Sequence, residues 1–211
     1  MRYLGALALL IAATPGASMP PASAPAPRIT QIAPISLDFG VNKVPGFLLD
    51  GSAATIVEAW RGNGNAHGYS AWMVLTGPSE GNPVGLALFD DGEGHELATI
   101  RDDPFDGERT LGSVWFARAR VDGEPASIVI DAHLDWTDGK PLADHERATI
   151  EIYRLAASGE GIGLPLEFVW IATLRTEKRY CNVDLAVRDT LGMVLPADLP
   201  GPNQANGCYP E

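Results

Sequence analysis

The 211-residue chain carries no N-x-S/T sequon, so nothing in it marks a glycosylated eukaryotic product. Lysine is scarce, at positions 43, 140 and 178 only, and the basic residues form no long run. With 27 acidic against 15 basic side chains, that pattern argues against nucleic acid as the main partner. Motifs of chemistry are equally sparse. The four histidines form neither H-x-H nor H-E-x-x-H, as a clustered metal hydrolase would need. Ser70 lies in GYSAW, which lacks the second glycine of a G-x-S-x-G nucleophile elbow. The glycines after Arg61 have the wrong spacing for a G-x-G-x-x-G nucleotide loop, and no helical pattern follows them. No catalytic residue is therefore assigned, and the sequence reads as that of a nonenzymatic protein without a resident cofactor. No segment shows sustained helical periodicity except weakly over 183–194.

What is present begins with an export signal. Arg2, the apolar run from Tyr3 to Ala13, and then Thr14-Pro15-Gly16 have the order of a secretory signal peptide, with cleavage expected after Ser18 or Ala24. The run is shorter than the roughly 18 to 20 apolar residues a membrane span requires, so no span is expected in the mature form. Residues 25–34, rich in Pro and Ala, read as an extended leader, and 35–211 as one domain with a single core. A bacterial periplasmic or secreted home follows. In that oxidising compartment Cys181 and Cys208, which lack C-x-x-C spacing, are expected to join as a structural disulfide.

From residue 35 on, short apolar alternations are separated by Gly, Asp and Pro turns. Strands are expected over 35–40, 53–60, 69–75, 83–89, 95–102, 110–121, 127–136, 147–155 and 166–174, with the run Val183, Leu185, Val187 closing the set. Asp122-Gly123 is the strongest hairpin signal. Ile128, Ile130, Ala132, Leu134 and Trp136 should share one face. The fold class is all-β, an antiparallel β-sandwich or flattened barrel. Such a fold leaves homodimerisation through a sheet edge open.

The segment TIVEAWRGNGNAHGYSAWMVL, residues 55–75, is the most chemically loaded. Two strand-like runs flank a loop in which Gly62, Gly64 and Gly68 permit close backbone approach to a ligand. Asn63 and Asn65 offer amide groups, Arg61 a fixed fork of donors suited to a carboxylate, and His67 a group titrating near neutrality. With Tyr69 beside it, this set could hold a small anionic or polar molecule; alternatively the loop is a tight turn satisfying its own backbone. Residues 90–108 gather eight carboxylates, and if they bind Ca²⁺ the best-placed ligands are Asp102, Asp103 and Asp106, although the spacing departs from the EF-hand. His133 and Asp135 fall on one strand face, an arrangement more often structural than catalytic.

LDFGVN at 37–42, followed by a strand running into R-x-N-x-N-A-H-G-Y at 61–69, resembles the periplasmic carbapenem intrinsic-resistance proteins, self-immunity proteins of β-lactam producers. The resemblance touches Arg61, Asn63, Asn65, Ala66 and His67. It implies protection from a carbapenem without hydrolysis, through binding of a small molecule or a periplasmic protein. Two other expectations stand beside it. One is an envelope interaction module using aromatics such as Trp60, Trp72 and Trp115, although alternation places most of these in the core. The other is a calcium-dependent carbohydrate-binding or hydrolytic domain.

Overall fold

The computed structural model describes residues 26–62, 68–77, 84–90, 95–102, 111–135, 145–158 and 166–194. Eleven strands are described: β1 (Ile29–Pro34), β2 (Gly40–Val44), β3 (Ala54–Arg61), β4 (Tyr69–Thr76), β5 (Gly85–Asp90), β6 (Glu96–Leu97), β7 (Ile100–Arg101), β8 (Gly112–Val121), β9 (Glu124–Leu134), β10 (Ala148–Ala157) and β11 (Leu166–Arg175). One helix, α1 (Val183–Leu191), follows. No helix among the described residues is long and apolar enough to cross a membrane.

The all-β expectation holds, but the strands do not form two separate antiparallel sheets. They join in one mixed sheet of order β1-β8-β9-β10-β11-β5-β4-β3-β2, with β6 beside β5 and β7 beside β4. The sheet curls into a half-barrel. Among the described residues its one parallel ladder, β11 with β5, sets Phe168 beside Phe89 and welds the long C-terminal meander to the N-terminal hairpins. β4 divides its pairing on one side, with Ala71 and Trp72 facing β7 and Val74 to Thr76 facing β5. A strand shared in this way cannot stay flat against both neighbours, and right-handed twist adds to the bend.

Alternation along the meander supplies two cores, one on each face. Ile128, Ile130, Ala132 and Leu134 of β9 pack with Ala148, Ile150 and Ile152 of β10 and with α1; Trp136 lies outside the described residues. Val129, Tyr153 and Leu155 point the other way and meet the curled half, including Ile56, Trp72, Val74 and Phe89. There Phe89 stacks on Phe168 at 4.7 Å, with Tyr153 edge-on to Phe89 at 6.2 Å. The β8–β9 hairpin turns as its sequence dictates. Asp122 and Gly123 take φ of 53° and 89°, the two positive values a type I′ turn requires.

Three local expectations are corrected. Ile29–Pro34, inside the segment read as leader, forms β1 and pairs with β8, so the folded sheet begins upstream of residue 35. Ile29 and Ile32 both pack against the core, on either side of an irregularity in the ladder where Gln31 takes φ 53°, a pattern that composition averaged over Pro and Ala conceals. The first expected strand, at 35–40, is displaced to β2, because Asp38 and Asn42 close a local loop through Asn42 Oδ1 and Nδ2. Finally, Val183, Leu185 and Val187 lie on a helix, not a strand. Asn182 caps it by accepting from the Asp184 N–H at 2.8 Å, and Gly192 ends it at φ 64° with its N–H on the Arg188 carbonyl.

Candidate functional site

β3 and β4 are antiparallel neighbours whose last pair is Arg61 opposite Tyr69. Inner and outer faces follow from burial. Ile56 and Val74 are in the core, so residues of the same parity, Glu58, Trp60, Ser70 and Trp72, point inward, while Ala59, Arg61, Tyr69 and Ala71 point outward. The hairpin tip thus presents two chemically different surfaces, back to back.

On the outer surface Tyr69 is half-buried between two arginines. Arg61 flanks it from β3, and Arg101 reaches it from β7, whose register sets Arg101 opposite Ala71. The Arg101 guanidinium carbon stands over the Tyr69 ring, 5.4 Å from its centroid. Both arginines are exposed, and neither forms an ion pair or a hydrogen bond through its side chain among the described residues. Some surface arginines of this acidic chain are occupied: Arg179 meets Glu146, Arg188 meets Asp189, and Arg118 donates to the Gly46 carbonyl. Arg28, Arg147 and Arg175 are exposed and, like Arg61 and Arg101, have no side-chain partner among the described residues; what sets the tip apart is that two such arginines border one tyrosine.

On the inner surface Trp60 lies across the base of the loop. A Cβ built on Gly68 would stand 2.0 Å from Trp60 Cζ2, so the indole rests where only glycine permits it, and the ring nitrogen also approaches Gly62. Beside it Ser70 donates its backbone N–H to Asp102 Oδ1 at 2.7 Å, and Asp102 returns its own N–H to the Ser70 carbonyl at 3.2 Å. Ser70 Oγ reaches Glu58 Oε1 at 3.4 Å. Ser70 is buried and serves this frame, with no histidine in the contact.

The structure therefore brings Arg61 and Tyr69 together, while Asn63, Asn65 and His67 lie outside the described residues. Of the three calcium candidates, Asp102 is buried and bonded to Ser70, and Asp103 and Asp106 lie outside the described residues. No group of three or more His, Cys, Asp and Glu among the described residues is placed to hold a metal ion. Asp135, on the His133 face, accepts from Thr149 Oγ1 at 2.5 Å. Cys181 is buried and there is no free thiol among the described residues; its expected partner Cys208 lies outside them. Of the three tryptophans considered for an interaction surface, Trp72 is in the core, Trp115 packs beside α1 and donates to Asp184 Oδ1 at 3.0 Å, and Trp60 is exposed; Trp170 on β11 is exposed as well.

Sequence reasoning missed Arg101. It sits in HELATIRD, where the carboxylates drew attention, yet its signal was present: Ile100 is a core residue, so the next side chain must face out. The reasoning also missed the Trp60–Gly68 contact, whose signal is a glycine at the base of a strand opposite a large aromatic.

Away from the tip, the deeply buried carboxyl of Asp184 has a clearly perturbed ionisation. Burial pushes it above the usual carboxylate range, opposed by hydrogen bonding from Ser113 and Trp115. Only the Trp115 bond is geometrically closed here, because Ser113 Oγ has no partner within hydrogen-bond geometry.

No family model matches the chain, and no curated protein sequence matches it. Its fold is similar to that in the crystal structure of CarG, with 18% sequence identity and a TM-score of 0.58, over 74% of this chain and 94% of that one.

Proposed function

We propose that this is a periplasmic, nonenzymatic binding protein that takes a small carboxylate-bearing molecule at the β3–β4 tip, with carbapenem self-resistance as its specific form. The observation that carries the reading is the exposed Arg61 guanidinium, without a side-chain partner among the described residues, on the strand position opposite Tyr69 in a chain of net charge −12. An arginine fork suits a carboxylate bidentately, and a penem or carbapenem nucleus bears one. The resemblance of 37–42 and 61–69 to the carbapenem intrinsic-resistance proteins supports the same direction, as does the fold shared with CarG. In this reading Asn63, Asn65 and His67 complete the contacts from the loop, an export signal delivers the chain, and Cys181 bonded to Cys208 ties down its tail.

The test is a thermal-shift titration of the mature, oxidised protein against a carbapenem, a penicillin, several sugars and Ca²⁺. A saturable rise with the carbapenem is expected, and Arg61→Ala should lose about 1.5 to 3 kcal/mol of binding, the range for a charge-assisted hydrogen bond. Equal binding by wild type and variant removes the assignment. A rise with Ca²⁺ alone would move the site to residues 90–108.

A second reading, an envelope interaction module, is favoured by one feature. Edge strand β2 and the residue before it expose Val41 and Phe39, each at 75%, at an unpaired sheet margin. Concentration-dependent self-association lost in Val41→Lys, without any small-molecule shift, would select it.

A further inference from the structure

We infer that Arg101, and not Arg61 alone, is the anchor for the ligand's carboxylate, held in advance by Tyr69. This rests on reading the outer surface of the tip as a binding site, but not on a carbapenem being the ligand.

The inference starts from the backbone beneath Arg101. β7 has only two residues, and both chain neighbours of Arg101 are pinned. Ile100 is 6% exposed and packs in the core, and Asp102 exchanges two bonds with Ser70. Arg101 therefore leaves the surface from a fixed base, while Arg61 is the last residue of β3. The side chain has a resting place as well. With its central carbon 5.4 Å from the ring centroid, the guanidinium lies within cation–π range of Tyr69. The ring takes none of its five N–H donors as a conventional hydrogen-bond acceptor would, so they remain for an anion. An exposed arginine ordinarily loses much rotamer freedom when it grips an anion, and here part of that loss is already taken.

Charge points the same way. Arg61 and Arg101 flank one ring from opposite sides, and the neighbouring carboxylates Glu58 and Asp102 belong to the inner surface of the sheet. Both cations border the outer surface, and neither has an ion-pair partner among the described residues, so an entering anion meets two positive groups. The Arg101 fork meets the carboxylate in its plane, and Arg61 adds charge from the other flank.

The test uses the mature, oxidised, ¹⁵N-labelled protein titrated with sodium benzoate and, at equal ionic strength, with benzamide, its neutral analogue. Benzoate should shift the Arg101 Nε–H and Tyr69 resonances saturably, and benzamide should not. Arg101→Gln should weaken benzoate at least about tenfold. Arg101→Lys, which keeps the charge but not the fork, should fail to restore it. Tyr69→Leu, which keeps both cations and removes the platform, should give an intermediate loss. Equal shifts by benzoate and benzamide, or an unchanged benzoate affinity in a folded Arg101→Gln or Arg101→Lys protein, would overturn the inference. A carbapenem arm separates the two readings. Benzoate binding through Arg101 without carbapenem binding keeps Arg101 and removes the carbapenem assignment. Carbapenem binding indifferent to Arg101→Gln keeps that assignment and removes Arg101 as anchor.

Discussion

Gly68→Ala should damage both stability and ligand binding, because Trp60 occupies the space a Cβ needs. The added methyl would sit 2.0 Å from Cζ2 and 2.7 Å from Cε2 and Cη2 of the indole, far inside contact distance. The backbone cannot yield cheaply, since the pairs Arg61–Tyr69 and Trp60–Ser70 and the Ser70–Asp102 exchange hold the strand immediately after Gly68. The indole must swing instead. Trp60 is 52% exposed, so about half its surface is at stake, roughly 100 Å² of the 150 to 250 Å² a tryptophan can bury. At about 25 cal/mol per Å² that area is worth at most about 2.5 kcal/mol, and overpacking elsewhere costs about 1 to 3 kcal/mol. We expect a loss of about 1 to 2.5 kcal/mol in urea unfolding, with red-shifted tryptophan emission. The double-mutant cycle is decisive. In a Trp60→Leu background Gly68→Ala should cost a few tenths of a kcal/mol, giving a coupling energy above about 1 kcal/mol. An equal cost in both backgrounds, or none with Trp60 present, would refute the clash. Because Tyr69 follows Gly68 directly, displacement of the strand would also misplace the Arg61–Tyr69–Arg101 surface, and ligand affinity should fall with stability.

The carboxylate anchors are tested by the Arg61 and Arg101 variants and their titrations described above. Asp184 predicts a pH dependence: its folded-state pKa lies above the unfolded value, so the native state holds a proton that the unfolded state has released. Its contribution to stability should therefore fall as pH rises from the ordinary aspartate value of 3.8 toward the higher folded-state value. Unfolding free energies measured across that window should diverge in favour of Asp184→Asn, with Trp115 emission as the probe; a wild type that gains on the variant as pH rises would contradict this. Cys208→Ser should lower stability by about 3 to 4 kcal/mol if Cys181 and Cys208 are bonded, from the loop entropy of that closure, and a reductant should reproduce the loss in wild type. An unchanged melting temperature on reduction would argue against the bond.

Legibility of the site divided along the same line as that of the fold. Arg61 and Tyr69 could be recognised because they border one short loop, and a hairpin necessarily makes such residues neighbours. Arg101 could not be joined to them: it lies 32 positions beyond Tyr69, and nothing local states that a two-residue strand will pair with β4 at Ala71. Alternation places most of Trp60, Trp72 and Trp115 in the core without saying which one is not, because it gives the face of a strand but not where the core ends. Ile56 and Trp60 share a face, yet one is fully buried and the other stands at the rim.

By itself the sequence determined the features written in short-range periodicity and turn chemistry. These are the all-β class, the β3–β4 and β8–β9 hairpins, the Asp122-Gly123 turn and the facing of Ile128, Ile130, Ala132 and Leu134. Each follows from side chains alternating with period two or from a residue that tolerates positive φ. Tertiary structure decided what depends on contacts between distant segments. The β11–β5 parallel ladder turns the expected sandwich into a curled half-barrel. The face of the meander opposite the curled half decides where Val183–Leu191 docks; the helix itself is bounded locally by Asn182 and Gly192. The ladder and the docking surface exist only once distant segments have come together.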